Sequence, residues 1–273
     1  MKRLLLVSLL LLAGCGAPKD DAWLGYVEGE DAFIAAPQAG WVAHLAVQRG
    51  DHVTAGQRLF TLDDTNQTST RDQATAQIAL AQSQRIAAEA NRVLMQKELS
   101  RQEGLMRESA TTKQAYDIAQ ANYDSAAAQV GQIDAQIAAA RATLSGAAYQ
   151  LSERDVIART TGEVQDVYFR QGEYAPAMTP VVSVLPPQNV YVRFFVPETQ
   201  FAHVKLGQRV AISCDGCASG ITATVTFIAQ QEEFTPPVIF SIGSREKLVF
   251  KIEARAPGGL KLNPGQPVDV RPL

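Results

Sequence analysis

Residues 116–151 read YDIAQANYDSAAAQVGQIDAQIAAARATLSGAAYQL. Tyr116, Tyr123, Val130, Ile137, Leu144 and Leu151 recur every seven residues, and Ala119, Ala126, Ile133, Ala140 and Ala147 follow the first five by three. An a/d seam kept this long predicts a coiled-coil helix. Alanine at four of the five d positions lets a partner helix come close. Upstream, residues 73–107 repeat the pattern more weakly. Ile78, Ala81, Ala88, Met95, Leu99 and Met106 carry it, but Arg85 and Arg92 fall in the same register. No proline interrupts residues 65–152, and the pattern breaks only at Glu108-Ser109-Ala110-Thr111. Two helices joined by so short a turn run antiparallel. With roughly 40 residues per arm, the hairpin is about 60 Å long. That is too long and thin for the core of a globular domain. On the helices alone, a dimerising stalk is an equal reading.

The flanks of the hairpin match each other. Before it stand Gly40, Val42, Leu45, Gly50, Leu59, Phe60 and Leu62; after it stand Gly162, Val164, Val167, Gly172, Val181, Val182 and Val184. Every pair is offset by 122 residues (162 − 40 and 184 − 62 alike). A constant offset without a gap signals an internal duplication. Each copy has about 30 residues, too few to bury a core alone, so the two pack on each other. The hairpin therefore leaves one half of a small β-domain and returns to the other. From Gln188 onward the period changes to two: Val190, Val192, Phe194 and Val196 alternate with Tyr191, Arg193 and Phe195. Pro197-Glu198-Thr199 opens a short helix expected to run to Lys205 and to be stopped by Gly207. Short strands around Val210–Ile212, Ile221–Phe227, Leu248–Ile252 and Val268–Val270 suggest a small β-barrel. Trp23–Ile34 reads as an edge strand.

Apolar content of 46% and charged content of 19% are those of a folded chain. A net charge of −3 leaves no nucleic-acid footprint, and the lysines and arginines are too scattered for a basic membrane-binding patch. Lys2 and Arg3 precede an apolar run, Leu4–Leu12, too short to span a bilayer and typical of a secretory signal peptide. Leu12-Ala13-Gly14-Cys15 looks like a bacterial lipobox, which implies cleavage before Cys15 and lipidation of its thiol; an ordinary signal peptide with a chance cysteine is the alternative. More than one acyl chain is needed for stable anchoring. Gly16-Ala17-Pro18 lacks an aspartate after the cysteine, which by resemblance to enterobacterial lipoproteins does not signal inner-membrane retention.

Cys214 and Cys217 remain as an even pair. Asp215-Gly216 between them predicts a type I′ hairpin turn with the cysteines facing each other about 5.5 Å apart, within disulfide range. Free thiols and a redox CxxC are the alternatives. The three histidines, His44, His52 and His203, have no ligand spacing. No phosphate loop or nucleophile motif appears, and no lysine stands where lipoyl and biotinyl carriers bear theirs. The chain is expected to be no enzyme and to carry no cofactor or metal.

The layout resembles the periplasmic adaptor subunits of tripartite export systems, the membrane fusion proteins or HlyD family. Three features carry the resemblance, which covers nearly the whole mature chain. One is the pair of lipoyl-like halves around a coiled coil. Another is the hairpin turn, where Arg101, Leu105 and Thr112 stand where adaptors of TolC-type channels carry arginine, leucine and serine. The third is Phe234–Phe240 with Lys247–Glu253, most similar to adaptors of ABC-type exporters.

The resemblance implies an α+β multidomain fold, with a helical hairpin inserted in a split lipoyl-like (barrel-sandwich hybrid) domain and followed by a β-barrel. The expected divisions are a signal peptide over 1–14, a lipidated tether and edge strand over 15–34, the first lipoyl-like half over 35–64, the hairpin over 65–155, the second half over 156–187 and the barrel over 188–273. The implied function is to link an inner-membrane transporter to a TolC-like outer-membrane channel from the periplasm, for efflux or secretion. The chain would be held by lipid, favouring the inner membrane, and assembled as a homo-oligomer, a hexamer. The few residues available for a fourth domain favour an ABC partner over an RND pump. At the tip, Leu105 and Met106 would offer an apolar spot and Arg101, Arg107 and Lys113 cations to a helical channel end. The rival reading is a structural lipoprotein stalk whose Leu105 only caps the hairpin.

Overall fold

The structure, a computed structural model, describes residues 22–234 and 248–273. In chain order its elements are β1 (Trp23–Gly29), β2 (Ala32–Ala35), β3 (Gly40–Leu45), β4 (His52–Val53), β5 (Arg58–Leu62), α1 (Thr65–Arg107), α2 (Lys113–Ser152), β6 (Asp155–Ile157), β7 (Gly162–Val167), β8 (Tyr174–Ala175), β9 (Pro180–Leu185), β10 (Val190–Pro197), α3 (Glu198–Phe201), β11 (Arg209–Ser213), β12 (Ile221–Phe234), β13 (Leu248–Arg255) and β14 (Pro267–Pro272). They divide into two compact units, residues 33–184 and residues 185–273 with the N-terminal strand.

In the hairpin unit, α1 and α2 pack along their whole length through the heptad seam. Ala119, Ala126, Val130, Ile133, Ile137 and Ala147 are buried on α2, and Ala74, Ala81 and Leu99 on α1. The two arginines in the α1 register are accommodated by charge. Arg85 Nε donates to Asp134 Oδ1 of α2 at 2.5 Å. Arg92 Nη2 donates to Glu89 Oε1 at 2.7 Å, and its Nη1 donates to the Tyr123 hydroxyl at 3.4 Å. Each long stem thus lies along the seam while its guanidinium reaches an oxygen at the rim.

Two four-stranded sheets, ordered β2-β9-β7-β4 and β6-β5-β3-β8, enclose a core that includes Val42, Val53, Leu59, Phe60, Leu62, Val164, Val181 and Val184. Each sheet takes strands from both sides of the hairpin. The 122-residue offset recurs in the hydrogen bonds. Val42 N donates to Glu173 O and Val164 N to Asp51 O; Gly172 N donates to Val42 O and Gly50 N to Val164 O. Ala46 N to Leu59 O likewise matches Tyr168 N to Val181 O. The halves are therefore interleaved, each completing the other's ladders. At the base of the hairpin, Arg154 Nη1 donates to Ala39 O at 2.9 Å, beside Gly40, where an added Cβ would meet the same guanidinium.

The second unit closes six strands into a barrel, in the order β1-β10-β13-β12-β11-β14. Its interior holds Val27, Val192, Phe194, Val196, Val210, Ile252, Ala254 and Val270. Three expectations are corrected here. The stretch 23–34 is not one edge strand: β1 pairs with β10 on one side and β14 on the other, and only β2 stands at an edge, that of the sheet β2-β9-β7-β4. Trp23 and Val27, four apart on one face of β1, both point into the barrel, which is why that strand is enclosed. The helix expected to reach Lys205 ends at Phe201, where His203 N and Val204 N turn back to Gln200 O and Phe201 O in successive tight turns. Residue 155, assigned to the hairpin, already begins β6.

Candidate functional site: the hairpin tip

The tip is built by two caps. At the end of α1, Ser109 N donates to Met106 O at 3.1 Å and Ala110 N to Leu105 O at 2.8 Å, with Ser109 at φ 56°. This is a Schellman motif with serine in the left-handed place that usually holds glycine. Leu105 occupies the position whose side chain commonly meets the residue after the turn, here Ala110, and it is half-buried. At the start of α2, Thr112 is the N-cap: its Oγ1 accepts from Ala115 N at 3.2 Å. Thr111 Oγ1 donates to Gln102 Oε1 at 2.8 Å and ties the turn back to α1.

The three residues singled out from the sequence thus lie around one turn in different states. Arg101 is exposed and paired with Glu98 one turn earlier. Leu105 is half-buried, and Thr112 spends its oxygen on the helix start. Arg107 and Lys113 are exposed. The sequence reading missed the N-cap role, although threonine just before an apolar-periodic helix is a signal for it. It also missed Ser109, because the sign of φ is invisible for a residue other than glycine.

The other singled-out residues lie elsewhere. Cys15 lies outside the described residues. Cys214 and Cys217 are joined as a disulfide with Cα atoms 5.3 Å apart. The turn type differs from expectation. Cys217 N donates to Cys214 O, and only Gly216 has positive φ (79°), the pattern of type II; type I′ needs Asp215 left-handed as well. The flanking strands close at Ile212 and Ile221, so the cysteines bridge a turn inside a longer loop and do not face across the ladder. Gln266 Nε2 lies 3.4 Å and 3.3 Å from the two sulfurs. His44, His52 and His203 are all exposed. Among the described residues, no helix is long and apolar enough to cross a membrane.

No family model matches the chain. A UPF0194 membrane protein of Acidithiobacillus ferridurans is 31% identical over 137 residues, covering 50% of this chain and 40% of that protein. The colistin resistance protein EmrA of Acinetobacter baumannii is 22% identical over 281 residues, covering 84% and 78%. The match thus spans well under half of the first relative and most of the second. Among solved structures, MacA from Actinobacillus actinomycetemcomitans superposes with a TM-score of 0.72 at 17% identity, covering 92% of this chain and 77% of that one. The membrane fusion protein Spr0693 from Streptococcus pneumoniae R6 gives a TM-score of 0.58 at 19% identity, covering 92% and 98%. In sequence the chain is a relative of EmrA and the UPF0194 membrane proteins, and it has the fold of the membrane fusion proteins.

Proposed function

We propose that the chain is a lipid-anchored periplasmic adaptor that links an inner-membrane exporter to a TolC-like outer-membrane channel, with Arg101, Leu105 and Thr112 at the docking tip. In this reading the sandwich with interleaved halves is the lipoyl-like domain, and the protein is a connector with no reaction to catalyse. The observation that carries the reading is the tip itself. Its backbone is closed by caps on both arms and tied by Thr111 to Gln102, while Arg101, Arg107 and Lys113 stay exposed around Leu105. A fixed backbone with exposed cations around an apolar spot is preorganised for a helical partner. The resemblance of the stretch 234–253 to ABC-linked adaptors favours an ABC-type exporter; its residues 235–247 lie outside the described part.

Assembly into a ring of copies is supported by the outer faces of the hairpin. On α1 the exposed apolar residues include Leu80 and Leu94, fourteen apart, and Ile86 and Val93, seven apart. On α2, Ala121, Ala128, Ala135 and Ala142 form an exposed small-residue face, each seven residues from the next. Bulky residues on one helix and a shallow face on the other complement each other between successive copies. Two different faces in contact make a heterologous interface, the kind that builds a ring when the rotation between copies closes. Copurification of the membrane-extracted chain with an outer-membrane channel tests the adaptor reading. Recovery of the chain with no channel, under conditions that keep the exporter bound, would favour the stalk.

A further inference from the structure

One end of the barrel carries the start of β1 at Trp23, the end of β10, α3 and the start of β11. Trp23 is fixed there: its Nε1 donates to Gln200 Oε1 at 2.5 Å, and its ring stacks on Phe194. Only residues 16–22 separate Cys15 from Trp23. Fully extended, those seven residues reach about 25 Å. A lipid on Cys15, part of the function proposed above, would hold this end of the barrel within that distance of the bilayer.

The same end displays Leu206 at the apex of a closed turn. Gln208 N donates to Lys205 O at 3.1 Å, and Lys205 N donates to Gln208 Oε1 at 3.1 Å. Gly207, at φ 80°, donates its N to Val225 O, and Val225 N donates to Gln208 O, so the turn is bolted to β12. Such a turn favours polar residues or proline at its second position. Here that position holds a leucine that is 66% exposed, and Leu24, next to Trp23, is 50% exposed. Lys205 and Arg209 flank Leu206 and are exposed. Glu198 and Glu232 belong to the same end, so the charge there is mixed and the cations orient a contact more than they drive it.

We propose that this end of the barrel rests on the phospholipid surface, with Leu206 at headgroup depth and Lys205 and Arg209 toward the phosphates. An apolar residue with flanking cations is the arrangement that settles at an interface. Attachment comes from the acyl chains; the turn sets which way the barrel stands on the membrane.

The test uses the full lipidated chain. Cys15 carries lipid in this reading and Cys214 and Cys217 are paired, so an introduced cysteine is the free thiol. Leu206→Cys and, at the far end of the barrel, Lys261→Cys are labelled with an environment-sensitive fluorophore. Each protein is inserted into vesicles of phosphatidylethanolamine and phosphatidylglycerol with a shallow spin-labelled phospholipid as quencher. The label at 206 is expected to be quenched several-fold more than the label at 261. Lys205→Glu with Arg209→Glu should lower the quenching at 206. Equal or absent quenching in chains that float with the vesicles overturns the membrane contact and leaves the anchor intact. Chains that do not float overturn both. A label at 206 shielded only in native membranes that contain the exporter assigns the end to a protein partner and overturns the lipid surface.

Discussion

Met178 stands where the first half has Gly56, 122 residues earlier, and both make the same backbone bond: Gly56 N to Ala158 O, Met178 N to Ala36 O. The slot is left-handed, φ 89° for the glycine and 61° for the methionine, whose side chain is 77% exposed. A side chain in that conformation costs about 1–2 kcal/mol, of which the greater freedom of an unfolded glycine takes back a part. Met178→Gly should therefore stabilise the sandwich by about 1 kcal/mol, read as a higher urea midpoint with an unchanged slope. An unchanged or lower midpoint would show that the methionine makes up its strain elsewhere. Charge in the seam gives a second prediction. The Arg92 guanidinium bonded to Glu89 holds that carboxyl below its ordinary value. A lowered folded value means stability that is present above the unfolded value of about 4 and lost as pH falls through the folded one. The melting difference between the native chain and Glu89→Gln should be present near neutral pH and vanish in acid. Neither feature could be read from isolated residues. The duplication offset pointed at position 178, but only the backbone shows that its φ is positive. The Arg85–Asp134 pair joins residues 49 apart whose axial alignment the heptads alone do not set.

At the scale of elements, the heptads were legible because burial repeats with the helix. Every a and d residue named on α2 is buried or half-buried, and the break between the arms, residues 108–112, contains the four residues where the pattern fails. The repeat of glycines and valines at one offset was legible for a related reason, since equal backbone roles demand equal residue types. The fate of β1 was not. A strand with polar neighbours reads as an edge unless the barrel that closes over it is known, and its two partners come from residues more than 160 positions away. The two faces of the hairpin predict opposite outcomes. Ile133 is 5% exposed in the seam, and Ile133→Asp should cost about 3 kcal/mol or more by placing an unpaired charge among apolar neighbours. Ile86 is 72% exposed, and Ile86→Asp should leave the melting temperature within about a degree or two while preventing ring assembly, as seen by native mass spectrometry. A ring that persists with aspartate at 86 would remove the Ile86 and Val93 face of α1 from the interface.

For the molecule as a whole, function rests on separating what holds the hairpin together from what it offers to others. At the tip, the sequence showed which residue types are spaced around the turn, while the caps that fix them needed the backbone. The Schellman turn and the Thr112 cap hold the tip without the Leu105 side chain having to be fully buried. Leu105→Asp should thus change folding by little, because the charge can stay hydrated in the free tip. Docked against an apolar site, the same charge would be unpaired, a loss of several kcal/mol. Arg101→Asp should also weaken docking, most at low salt, since an exposed cation is screened by ions. The most direct measurement is cross-linking of the tip to the outer-membrane channel in cells, made beside thermal melts of the native chain and Leu105→Asp. The adaptor account predicts a Leu105→Asp protein that melts within a few degrees of the native chain, still forms rings, and no longer cross-links or supports export. A Leu105→Asp protein that cross-links and exports like the native chain would contradict it.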